Sequence, residues 1–185
     1  MFNLLEQYPS GRFANRVCRV VVSGLEVEFT GIDGNVRPPQ PDELPRVMFS
    51  YGTSISEGAY ASRPDLGWNA PTARAVGHDF IDMGSSGTAY CEPAMADYLA
   101  GLEWDLCVLE LSVNMGGFSI EQFKERVASL VDKLATSHPE APIFCISLFP
   151  FGTGDLWAGN KATTQERRDA LAAIVTDPVT RTSTS

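Results

Sequence analysis

Three short runs in this sequence carry residue types that could do chemistry together. They are Tyr51-Gly52-Thr53-Ser54-Ile55, Gly84-Ser85-Ser86-Gly87 and Ser112-Val113-Asn114-Met115-Gly116-Gly117. The first places a hydroxyl directly after a tight turn, where a serine at the start of a helix has an exposed side chain and an unused backbone N–H. The second offers a glycine amide that a ligand can approach closely. The third offers an asparagine side-chain amide. A hydroxyl nucleophile with two backbone N–H groups and one side-chain amide is what acyl transfer requires. Ser54 would attack a carbonyl carbon, and the amides of Ser54 and Gly87 with the Asn114 side chain would stabilise the oxyanion. Losing one such donor costs roughly 2.7–4 kcal/mol of barrier. Each run also has a plainer use. Ser or Thr before a helix caps it, paired glycines make turns, and asparagine can bond its own backbone. A glycine-rich loop after a strand can also cradle phosphate, although Gly-Ser-Ser-Gly matches no phosphate motif in full.

The elements around these runs decide whether they can meet. From Arg46 the sequence alternates buried strand and amphipathic helix. Strands are predicted at Arg46–Tyr51, Asp79–Met83, Leu106–Leu111 and Ile143–Phe149, the third apolar throughout except for Glu110. Helices are predicted at about Asn69–Val76 and from Pro93 to about Leu102. A third helix follows a Ser119/Gln122 capping box with a Phe118/Phe123 staple, and ends at His138-Pro139. A last helix, capped by Thr163 with Glu166, is predicted to run to about Val175. This order implies a parallel sheet with helices on both faces and right-handed crossovers. The loops after the strands then gather at one edge, where open α/β sheets bind their ligands. All three runs are such loops.

Ahead of this domain, Arg16–Val36 reads as two β-strands. Residues 1–36 are therefore expected to be a short β appendage. The proline-rich stretch Arg37–Pro45 is expected to be an extended linker. The domain proper is placed at 46–175, and 176–185, without periodicity, as a disordered tail. Unpaired edges in the appendage would favour self-association.

The three runs resemble the SGNH (GDSL-like) hydrolases, most closely the branch with Gly-Thr-Ser-Ile in its first block. The matching text is Tyr51–Ile55, Asp82–Gly87 followed by Glu92-Pro93, and Glu110–Met115. The resemblance covers about Arg46 to Phe151. It implies a flavodoxin-like three-layer α/β/α sandwich. It also implies Ser54 as nucleophile, Gly87 and Asn114 as oxyanion donors, and an N-terminal β-sandwich module of which Arg16–Val36 would be the end. Thr53 stands where the wider family has aspartate, as is normal for this branch. The family's closing Asp-x-x-His block is not found: Asp177 has no histidine three residues on. The chain is expected to stop before that block. Its two histidines, His78 and His138, are predicted at the opposite sheet edge from Ser54.

The function expected is a serine esterase or acylhydrolase, with carbohydrate-ester deacetylation one form, impaired by the missing histidine. The alternatives are a non-catalytic acyl- or carbohydrate-binding module and, third, a phosphate- or nucleotide-binding flavodoxin-like protein. The expected partner is a small-molecule or carbohydrate ester. No cofactor or metal is expected: the four cysteines form no Cys-x-x-Cys pair, and Cys91, beside the second run, is read as reduced and structural. A net charge of -9 argues against nucleic acid and anionic membrane surfaces. No apolar run is long enough to span a bilayer. Met1–Val22 lacks the order of a signal peptide, so a cytoplasmic location is expected.

Overall fold

The computed structural model describes residues 28, 30–34, 37–111, 113–149 and 161–176. Four strands, β1 (Val47–Gly52), β2 (Asp79–Gly84), β3 (Leu106–Glu110) and β4 (Ile143–Ile146), form one sheet in the order β2-β1-β3-β4. Every pairing is parallel. Among the described residues five α-helices accompany it: α1 (Ser54–Glu57), α2 (Asn69–Ala75), α3 (Pro93–Ala100), α4 (Ile120–Ser137) and α5 (Lys161–Thr176).

Alternation along β1 and β3 sorts side chains between two faces. Phe49, Tyr51, Cys107 and Leu109 enter the larger core, with Ala96 and Leu99 of α3, Phe123, Val127, Leu130 and Leu134 of α4, and Leu171 of α5. Met48 and Val108 turn to the other face, where they meet Ala73 of α2. The result is the three-layer α/β/α sandwich expected from the sequence, with β1 central. The second face is thinly covered: Phe144 of β4, paired with Val108, is 58% exposed.

Several boundaries differ from expectation. Strand β4 stops at Ile146, three residues early. The linker is not uniformly extended. Pro41–Glu43 forms a turn of 3-10 helix, held by the Gln40 N–H donating to Glu43 Oε2, the Glu43 N–H donating to the Gln40 carbonyl, and an ion pair between Arg37 and Glu43. Proline is compatible with a first helical turn, where its missing N–H is not needed. Helix α5 starts at Lys161, so Thr163 lies inside its first turn rather than capping it. The same helix closes on Thr176, read from the sequence as the first residue of the tail. The Ser119 cap is as expected: Gln122 N–H donates to Ser119 Oγ, and Ser119 N–H to Gln122 Oε1. Phe118 lies beside the Tyr90 ring, with the Arg126 guanidinium 4.8 Å from its centroid. The strands expected within 16–36, Cys18 and the tail from residue 177 fall outside the described residues, apart from 28 and 30–34, which form no strand.

Candidate active site

Ser54 follows the carboxyl end of β1 and opens α1. Thr53 is the N-cap, and its Oγ1 accepts from the Ile55 N–H. The N–H groups of Ser56 and Glu57 donate to the Thr53 carbonyl. The Ser54 N–H is therefore left without a partner among the described residues. Ser54 is half-buried, whereas Thr53 and Ser56 are wholly buried.

Two glycines explain why the turn lies so close to the sheet. Gly52 and Gly84 are register partners at the ends of β1 and β2. A Cβ on Gly84 would stand 2.1 Å from the Glu57 nitrogen, and one on Gly52 would stand 2.3 Å from Ser56 Oγ and 2.8 Å from the Glu110 carbonyl oxygen. Helix α1 thus rests on bare backbone, and any side chain at either position would lift it.

The loop after β2 folds over the same edge. Ser85 N–H donates to the Gly52 carbonyl, and Ser86 N–H donates to Glu57 Oε2. Gly87 has φ +74 and open space around its Cα, so it is required for its left-handed conformation rather than for a close approach. It is exposed, and its N–H has no partner among the described residues. Two features of the loop oppose an anion there. Backbone of α1 packs on Gly84, and the Glu57 carboxylate occupies the Ser86 amide that an anion would need.

Asn114 lies in a 3-10 stretch, Val113–Gly117, after β3. Its Oδ1 accepts from the Ala89 N–H at 3.2 Å, which joins this loop to the one carrying Gly87 and leaves Nδ2 to donate elsewhere. The loops holding Ser54, Gly87 and Asn114 therefore meet at the carboxyl edge. Three donors remain there without partners among the described residues: the N–H of Ser54, the N–H of Gly87 and Asn114 Nδ2.

Two side chains that support this edge were not singled out from the sequence. Glu110, the last residue of β3, is 1% exposed. Its Oε2 accepts from the Thr53 N–H (2.9 Å), the Thr53 hydroxyl (2.5 Å) and the Ser56 hydroxyl (3.2 Å). Burial raises its pKa above the ordinary carboxylate value, against the pull of those hydrogen bonds. Its sequence signal was a lone acid at the end of an apolar strand. Arg167 of α5 is also buried, and its guanidinium donates to the carbonyls of Phe118 (2.7 Å), Gly116 and Met115, holding the loop that carries Asn114. Nothing in the sequence around it marks that role.

The sequence matches the profile of the GDSL-like lipase/acylhydrolase family over residues 46–184. The chain belongs to this family. Among solved structures it is similar to a Bacteroides ovatus protein assigned as a GDSL-like lipase, at 30% identity and a TM-score of 0.62, with 71% of this chain and 38% of that one covered. It is also similar to the salicylyl-acyltransferase SsfX3 of a tetracycline biosynthetic pathway, at 25% identity and a TM-score of 0.61, covering 70% of this chain and 38% of that one. A family two carbohydrate esterase from Clostridium thermocellum, solved with cellohexaose, shares the fold at 20% identity and a TM-score of 0.51, with 77% and 54% covered. The chain thus spans under two-fifths of the first two proteins. No functionally curated protein matches it.

In this GDSL-like domain both histidines lie at the other edge of the sheet. His78 immediately precedes β2, and its Nδ1 donates to the Val76 carbonyl. His138 ends α4, stacks on Trp104 with centroids 3.9 Å apart, and donates from Nε2 to the Leu102 carbonyl ahead of β3. Both line a surface hollow with Arg46, Trp104 and Asp105, remote from Ser54. Cys91 is buried, its N–H donates to the Tyr51 hydroxyl, and burial pushes its thiol up to about 12, which leaves it a protonated packing residue. Among the described residues no helix is long and apolar enough to cross a membrane.

Proposed function

We propose that this GDSL-like domain carries out acyl transfer from an ester through Ser54. In this reading Ser54 Oγ attacks the ester carbonyl, the alcohol leaves, and the acyl group rests on Ser54 until water or another acceptor takes it. The N–H groups of Ser54 and Gly87 and the Asn114 Nδ2 would receive the oxyanion. The observation that carries the reading is that these three donors, on three loops, have no partner among the described residues at the edge where Ser54 emerges, while the N–H groups of Ser56, Glu57, Ser85, Ser86 and Ala89 beside them are hydrogen-bonded. Family membership and the esterase neighbours support an ester substrate. The carbohydrate esterase neighbour makes an acylated sugar one candidate.

A serine hydroxyl is a weak nucleophile until a base takes its proton, and in the triad scheme that base is histidine. The chain has two histidines, and both stand at the far edge. This chain by itself is therefore expected to turn over p-nitrophenyl acetate slowly, with a residual enhancement of roughly 10³–10⁴ over water from donors and binding. Ser54→Ala should remove acetylation at residue 54, read by mass spectrometry, while the residual turnover that comes from donors and binding persists. Supplying a fifth strand and a loop bearing Asp-x-x-His should raise turnover by orders of magnitude. Equal turnover with and without Ser54→Ala once that loop is supplied, or no acetylation at residue 54 in either form of the chain, would refute the assignment.

The position of the histidines also favours a second reading, in which the same donors hold an acyl or carbohydrate ligand without turning it over. Binding of a non-hydrolysable ester analogue, undiminished in Ser54→Ala and with no acyl-enzyme formed by the unaltered chain, would select it.

A further inference from the structure

We propose that Glu110 is the positioning residue of the nucleophile turn, a buried clamp that fixes Thr53 and Ser56, on either side of Ser54, to the strand leading into Asn114. The proposal rests on Ser54 as the reacting group and adds how that group is held.

The geometry has three parts. First, one oxygen of Glu110 gathers three donors from a segment 57 and 54 residues away in sequence: the Thr53 N–H, the Thr53 hydroxyl and the Ser56 hydroxyl. Ser54 is the only hydroxyl of the Thr53–Ser56 run that Glu110 does not engage. Its neighbours are fixed and it is left available. Second, Thr53 passes the constraint on, because the same Oγ1 that donates to Glu110 accepts from the Ile55 N–H at the helix start. Third, the approach is close enough that Gly52 has no room for a Cβ against the Glu110 backbone oxygen and Cβ.

The other oxygen, Oε1, is buried with no hydrogen-bond partner among the described residues. A carboxyl group with one bare oxygen is an expensive way to fill space, since buried charged and polar groups are often replaced by apolar ones at no loss of stability. Its presence is understandable if it serves placement. Asn114 lies four residues further along the same chain segment, so the clamp fixes the attacking oxygen relative to one of the oxyanion donors. Small misplacements of reacting groups are costly, about 10²-fold for an ångström.

The test uses the full chain with Ser54→Ala as control and two variants, Glu110→Ala and Glu110→Gln. Amide hydrogen exchange is measured at Thr53, Ser56 and Glu57 and, for comparison, at Phe123 and Val127 of α4. Ser54 labelling by a fluorophosphonate is resolved into a maximal rate and a reagent affinity. Glu110→Ala should speed exchange in the turn by at least about tenfold with α4 unchanged. It should lower the maximal labelling rate by about 10²-fold with affinity kept within about twofold. Glu110→Gln retains the volume but offers an amide oxygen in place of the carboxylate, so it should fall between, losing about tenfold in maximal rate. Should Glu110→Ala not fold, Glu110→Gln decides alone. Wild-type labelling and exchange in Glu110→Gln, or exchange rising equally in the turn and in α4, would overturn the proposal. If Ser54 of the unaltered chain does not label at all, the Ser54 reading fails, and exchange in the turn still decides whether Glu110 is a clamp.

Discussion

At the scale of single residues, the edge is sensitive where backbone touches backbone. Gly84→Ala would drive a Cβ into the Glu57 nitrogen and Cα and the Ser56 carbonyl carbon, none of which can yield as a side-chain tip would. Overpacking of this kind costs about 1–3 kcal/mol, and here the displaced atoms belong to α1. Gly84→Ala should therefore lower the unfolding midpoint in urea and slow Ser54 labelling together. Glu110 sets a different expectation, for pH. Its folded-state pKa lies above the unfolded one because burial outweighs its hydrogen bonds. The folded state then binds the proton more tightly, so Glu110's contribution to stability is complete below the ordinary carboxylate range and is lost as pH rises through the raised value. Relative to Glu110→Gln, the wild-type chain should be less stable at roughly pH 7 than at roughly pH 4, as measured by denaturant unfolding at the two values. A difference independent of pH would mean that Glu110 is not shifted in this direction.

At the scale of elements, helix α4 shows what local sequence can determine. Its boundaries were legible because Ser119 and Gln122 satisfy each other's backbone and the apolar residues from Phe123 to Leu134 recur at helical spacing. Ser119→Ala should cost about 1 kcal/mol, seen as a lower urea midpoint with an unchanged slope. The strands were legible as apolar runs, and Ser54, Gly87 and Asn114 as loop residues after strands. What the sequence concealed depends on contacts between distant segments. Glu110 reads as an isolated acid until Thr53 and Ser56 are beside it. Arg167 reads as one more charge on a polar helix until the carbonyls of residues 115–118 surround it. The start of α5 was misplaced because Thr163-x-x-Glu166 imitates a capping box within a segment that is already helical. The 3-10 turn at Pro41–Glu43 was missed because four prolines in nine residues suggested extension, whereas the ion pair between Arg37 and Glu43 bridges the turn.

At the scale of the whole molecule, the sheet separates two edges with different contents. The carboxyl edge has Ser54, the unpartnered donors and the Glu110 clamp; the other has both histidines. His78→Ala and His138→Ala should each leave the Ser54 labelling rate within about twofold of wild type, since changes at distant, unconnected sites act independently. His138→Ala should still lower thermal stability, because it removes the stack on Trp104 and the hydrogen bond to Leu102. Abolished labelling in either variant would require the fold to be redrawn around that histidine.

The strand order has a consequence for how the protein is made. The central strand, β1, is the first of the sheet to leave the ribosome, and its two neighbours follow later, β3 last. Parallel partners separated by long crossovers are slow to find each other, and until they do the strand edges stay open. A nascent chain that has exposed Ser54 but not yet Glu110 has the local cap of the turn and its contacts with the loop after β2, but lacks the acceptor for the Thr53 N–H and the Thr53 and Ser56 hydroxyls. The Glu110 contacts of the serine turn therefore form only after β3 has emerged, and a chain stalled before β3 would carry the Thr53–Ser56 sequence without the carboxyl group that engages it.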